Sequence, residues 1–179
     1  MVQLRKIVSP TGAVRANVLF VHGLGGIIDE TWGGVADGKW FWPRALGEEV
    51  EGLGVYLVGY EAAVSRWRGR AMHLPDRATS VLMRLLTEPK LREAPLVLVG
   101  HSLGGLVIKQ LLRIAESEPR HRPDAADLLA RVEKIAFLAT PHTGAGHATW
   151  GDRLRLLVRP SAATASLVRN DPNLRDLNL

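Results

Sequence analysis

Gly100-His101-Ser102-Leu103-Gly104 sets a serine hydroxyl between two glycines in the pattern G-x-S-x-G, and its flanks decide whether that is chemistry or an ordinary turn. Leu96 to Val99 before it is an apolar run of strand length. After it, Leu103, Val107, Leu111 and Ile114 recur at intervals of three and four, the spacing of one helical face over about four turns. Ser102 therefore falls on a sharp strand-to-helix turn that strains its backbone and exposes its hydroxyl as a nucleophile. Gly100 and Gly104 are small because side chains there would collide across the turn, and Gly105 extends the close approach. A helix beginning at Leu103 aims unpaired amides and the positive end of its dipole at Ser102. The Leu103 amide is thus the expected donor to a developing oxyanion, and the chemistry on offer is acyl transfer.

His22-Gly23-Leu24-Gly25-Gly26 follows the apolar run Val18 to Val21 and could supply a second oxyanion amide, with Leu24 the candidate donor and His22 and Gly23 beside the pocket. It is not a phosphate cradle: no Lys-Ser/Thr pair follows the glycines and no G-x-G-x-x-G opens a helix. His22 closes a strand, so its imidazole is expected to hold the loop through backbone hydrogen bonds rather than act as base. His101, one residue before the nucleophile, should point away into packing. His142, in Thr140-Pro141-His142-Thr143-Gly144 at another strand end, can brace the loop as pocket wall, touch substrate, or serve as base; His147 is a weaker candidate. Trp32, Trp40, Phe41 and Trp42 form either a satellite core stapling the loop to the next helix or an acyl-binding surface over the pocket.

These residues need a scaffold, and the hydropathy pattern supplies one. Val2 to Val8 alternates weakly as an edge strand before the turn Ser9-Pro10-Thr11-Gly12. Val18 to Val21 is a central strand. Helical spacing from Trp42 toward Leu53 gives way to a strand at Val55 to Val58, and a helix over 76–87 leads through Pro89 and Pro95 to the strand at Leu96 to Val99. Asp124 can cap a short helix ending near Arg131, and Ile135 to Leu138 is the next strand. Beyond Gly146 the pattern is helical, at 149–159 and 161–169, with a polar tail. Apolar strands alternating with helices predict an α/β class: a mostly parallel sheet covered on both faces.

The chain has 179 residues, 46 % hydrophobic and 23 % charged, the balance of one globular domain over 1–179. No apolar stretch approaches the roughly 20 residues that cross a bilayer, and no signal-peptide segment opens the chain. Zero cysteines exclude disulfides and thiolate metal sites and make the cytoplasm the expected location. The 23 basic residues against 18 acidic give +5, but they are scattered, without the aromatic interleaving or continuous stripe that nucleic acid would require.

Together the run Val18 to Gly26, Trp42-Pro43, Gly59-Tyr60-Glu61-Ala62, Gly100 to Gln110 and Phe137 to Gly144 resemble the α/β-hydrolases. The resemblance is closer to the serine-esterase group of SERAC-like and PGAP-like proteins, which has many bacterial homologues, and a bacterial source is the matching expectation. It spans residues 14 to 178 and implies that Ser102 is the nucleophile, that Leu24 and Leu103 supply the oxyanion amides, and that esters, often lipids, are substrates. It further implies that no metal or organic cofactor is needed and that fused or partner domains occur. The fold's triad order is Ser, then Asp or Glu, then His, on loops after later strands. No histidine follows His147, and the late acids Asp152, Asp171 and Asp176 lie in helical or tail sequence. The acid and base are therefore expected beyond residue 179, and the chain alone is expected to hydrolyse activated esters slowly or not at all. The alternative is a hydrolase-like binding or regulatory module with an incomplete triad, its sheet completed by a partner domain.

Overall fold

Ala16–Val21 (β2) is apolar at successive positions because both sides of it are covered. In the computed structural model, which describes residues 2–23, 28, 30–33, 40–60, 74–117 and 122–142, β2 lies at the centre of a five-stranded sheet. The other strands are β1 (Gln3–Val8), β3 (Leu53–Gly59), β4 (Leu96–His101) and β5 (Val132–Leu138), and the spatial order is β1-β3-β2-β4-β5. Strands β3, β2, β4 and β5 run parallel, and β1 pairs antiparallel with β3 at the edge. The helices are α1 (Trp42–Glu49), α2 (Leu74–Leu86), α3 (Leu103–Ser117) and α4 (Pro123–Arg131), with a 3-10 turn at Pro89–Arg92. The mostly parallel α/β class expected from the sequence is the one observed.

Two apolar layers show how the strands divide their side chains. Leu19 and Val21 of β2, with Tyr56, Val58 and Leu98, pack under α2, α3 and α4. Val18 and Phe20, with Val55, Leu57 and Val99, face Trp32, Phe41, Trp42 and Leu46 at α1. Helices thus cover both faces, as right-handed crossovers require when the chain steps one way from β2 to β3 and back over β2 to β4. That reversal puts a crevice outside the carboxyl ends of β2 and β4, where ligands of open α/β sheets bind.

Several boundaries differ from expectation for local reasons. Helix α1 stops at Glu49 because Val50 turns extended, its N–H still bonded to the Leu46 carbonyl, and Gly52 enters the left-handed region at φ 82°. Strand β3 starts at Leu53, where it begins pairing with Ala16, so it outgrows the apolar run Val55 to Val58. Asp124 is not the cap of α4. Arg122 holds that place and Pro123 takes the first helical position, where its fixed φ and absent N–H cost nothing; Asp124 Oδ1 accepts from the Ala125 N–H at 2.9 Å. Strand β5 begins at Val132, directly after α4. The helices expected at 149–159 and 161–169 and the polar tail lie outside the described residues.

Asn17 ties the N-terminal end of this sheet together. It is buried, its backbone N–H donates to the Pro95 carbonyl at 2.8 Å, and its Nδ2 donates to the Lys90 carbonyl at 3.0 Å. Asn17→Ala strands that carbonyl, and urea unfolding should show a loss of about 1–2 kcal/mol.

Candidate active site

Ser102 sits between β4 and α3 with φ 52°, a left-handed backbone rarely taken by a residue with a Cβ. The strain is held by neighbours. The Ser102 N–H donates to the Leu138 carbonyl at 2.8 Å, and its own carbonyl accepts from the Gly105 N–H at 3.1 Å. Gly100 admits the turn, because a Cβ there would lie 2.6 Å from Gly105 Cα. Gly104 answers to a different neighbour than the turn itself: a Cβ there would drive into the Val21 carbonyl oxygen and lie 2.5 Å from that of His22, both at the end of β2. With the Gly105 amide engaged, the Leu103 and Gly104 amides open the first turn of α3 without a backbone carbonyl partner among the described residues.

Gly23 brings the second loop over the nucleophile. A Cβ on it would stand 2.9 Å from Ser102 Cβ and 3.0 Å from the His101 carbonyl oxygen, so the chain leaving β2 passes directly beside the serine. His22 braces that passage. Its Nδ1 lies 2.9 Å from the Gly23 carbonyl, and its Nε2 accepts from the Tyr60 N–H at 3.4 Å, an arrangement that fits the Nδ1–H tautomer. The Tyr60 hydroxyl donates back to the His22 carbonyl at 2.7 Å, and the two rings stack at 4.6 Å. Burial, opposed by the bond to Gly23 and helped by His101, holds the His22 pKa below its usual value. Both ring nitrogens are occupied, so His22 supports the loop as its position at a strand end suggested. Tyr60 had no assigned role in the sequence; the signal available was an aromatic residue closing a strand beside a second strand end.

The remaining candidates separate. His101 turns its ring edge-on to Trp32, 6.1 Å between centroids, and burial lowers its pKa. Trp32 is only 5 % exposed and packs on Phe20 at 5.0 Å and Trp42 at 5.9 Å, which makes it part of the core over α1, joined to the nucleophile turn through His101. Trp40, by contrast, is 68 % exposed. His142 stands perpendicular to Phe137 at 4.8 Å, with Lys109 Nζ 5.6 Å over the same ring; burial and then the Lys109 charge lower its pKa. No hydrogen bond joins a histidine to Ser102 among the described residues. Leu24, His147, Asp152, Asp171 and Asp176 lie outside them.

The neutral histidines make acid stability testable. With its folded pKa below the ordinary histidine value of 6.5, His22 takes up protons more readily when unfolded, so its contribution is complete above that value and is lost as pH falls toward the folded pKa. Urea midpoints should drop below pH 6.5, and His22→Gln should flatten that dependence. Tyr60→Phe, which removes one buried bond, should cost about 1 kcal/mol at neutral pH.

Known proteins resemble this chain in sequence and in fold. Protein SERAC1 of Danio rerio is 31 % identical over 185 residues, covering 92 % of this chain and 28 % of its own length, so the chain spans little more than a quarter of that relative. The curated relatives are vertebrate and lend no support to a bacterial source. Among solved structures, the mature lipase BlEst2 of Bacillus licheniformis superposes with a TM-score of 0.67 at 16 % identity, over 98 % of this chain and 64 % of that one. Phospholipase PlaB of Legionella pneumophila does so at 0.64 and 16 % identity, over 91 % and 35 %. These likenesses establish the α/β-hydrolase fold. Residues 17–151 match the family described as "Putative serine esterase (DUF676)", and the chain belongs to that family.

Proposed function

We propose that this chain carries the nucleophile half of a serine hydrolase that cleaves ester bonds, in lipids or small carboxylic esters, through an acyl-enzyme on Ser102. The observation that carries the reading is the left-handed Ser102 at the head of α3, pressed beside Gly23. The family and the lipase-like fold support it. A general base takes the Ser102 proton as Oγ attacks the ester carbonyl, and the oxyanion is held by the Leu103 amide and, from the loop after β2, the Leu24 amide. The base then gives its proton to the departing alkoxide, and water releases the acid by the reverse steps. We place that base and its acid outside the described residues, in keeping with the expectation that they follow residue 179. A cytoplasmic location is part of the same proposal and rests on the absence of cysteine.

A second reading has one observation in its favour. Among the described residues β5 is bonded on one side only, to β4, and Glu133 to Ala136 are exposed in succession. A partner domain seated there would suit a module whose hydrolase turn serves only as scaffold. Hydrolysis of a p-nitrophenyl ester by the protein carrying this chain decides between them. Ser102→Ala should cut turnover at least about 1,000-fold with an unchanged melting temperature. Turnover that survives Ser102→Ala overturns the esterase reading; no turnover and no labelling of Ser102 by a fluorophosphonate favours the scaffold.

A further inference from the structure

We infer that Thr140 is a positioning residue for the nucleophile: wedged against Gly105, it holds the first turn of α3 where that turn's amides face the Ser102 hydroxyl. The inference rests on the esterase reading of Ser102 and extends it to a residue of the turn after β5. A Cβ built on Gly105 would overlap Thr140 Oγ1 and lie 2.7 Å from its Cγ2 and 2.9 Å from its Cβ. The threonine side chain therefore fills the whole space above that glycine. On the opposite side, a Cβ on Gly100 would lie 2.6 Å from Gly105 Cα and 2.8 Å from its nitrogen. Gly105 thus lies in close approach to the β4 backbone at Gly100 and to the Thr140 side chain, with no room for a Cβ facing either.

That close approach is tied to the nucleophile itself. Gly105 donates to the Ser102 carbonyl at 3.1 Å, and Ser102 donates to the Leu138 carbonyl at 2.8 Å, two residues before Thr140. Between them Ala139 takes φ 50°, an unfavourable backbone for alanine that persists only when its surroundings demand it. That turn is what delivers Thr140 to Gly105. Thr140 Oγ1 is buried without a hydrogen-bond partner among the described residues, so the side chain acts through its shape. Oxyanion donors act only in the transition state, so a wedge that sets their position should govern kcat rather than KM.

The test compares Thr140→Ala, which opens the space, with Thr140→Val, which keeps the shape and removes the unpaired hydroxyl. On an activated ester, Thr140→Ala should lower kcat about tenfold with KM within about twofold, and Thr140→Val should restore kcat. Gly105→Ala should lower kcat as well, and the pair Gly105→Ala with Thr140→Gly should recover part of it. The amide NMR signals of Ser102 and Leu103 should move in Thr140→Ala and stay in place in Thr140→Val. If Thr140→Ala does not fold, Thr140→Ser, which deletes only the methyl, is read in its place. A lower melting temperature with unmoved kcat and amide signals makes Thr140 a packing residue and overturns the inference. Turnover that survives Ser102→Ala removes the esterase reading instead, while the amide signals still decide whether Thr140 sets the turn.

Discussion

How closely backbone can approach backbone at the start of α3 governs everything at the reactive edge. Gly104 lies against the last carbonyls of β2, Gly100 against Gly105, and Gly23 against Ser102. Most of these contacts are between main-chain atoms, so no change of rotamer relieves a side chain added there. The parallel pairing of Val21 with Gly100 sets the distance, since it brings the carboxyl ends of β2 and β4 level. From that register follow the sharp turn, the left-handed Ser102 and a helix that begins at the very next residue, Leu103.

The support behind the turn is polar, and it depends on imidazoles that stay neutral. His22 can donate to the Gly23 carbonyl and accept from the Tyr60 N–H only with one proton on its ring. Burial enforces that state, because a charged imidazole would lose its solvation as well as its acceptor. The same group links the ends of β2 and β3, while Tyr60 returns a bond to the His22 carbonyl. Three adjacent strand ends, β3, β2 and β4, are thereby fixed to one another by a stacked pair and by glycine contacts. A nucleophile placed on the third inherits the rigidity of all three.

Much of this was legible in the residues. The apolar runs located the four parallel strands and the three-and-four spacing located α3, because burial within a parallel sheet writes itself into composition, while the edge strand β1 showed only as a weak alternation. Ser102 and Gly100 were legible because a turn this tight excludes most residue types. What escaped the sequence was set by tertiary partners: Gly104 answers to Val21 and His22 of another strand, Tyr60 to an imidazole 38 positions away, and Asp124 lost the cap of α4 to the geometry of Pro123. Trp32 offered two roles on paper, and the ring of Phe20 beneath it draws it into the core.

The asymmetry has a physical origin. A nucleophile on a strand-to-helix turn is specified by local backbone demands, and local demands leave a dense signature of glycines. A general base needs only an imidazole at the right point in space, which any loop of suitable length can supply, so its position leaves little local trace. The strand that leads toward such loops is not independent of the nucleophile. Through the Leu138 carbonyl on the Ser102 amide and the Thr140 side chain over Gly105, the exit of β5 is fastened to the turn. Chain leaving β5 therefore starts from a point already registered on Ser102, which shortens the distance over which any later residue must be placed.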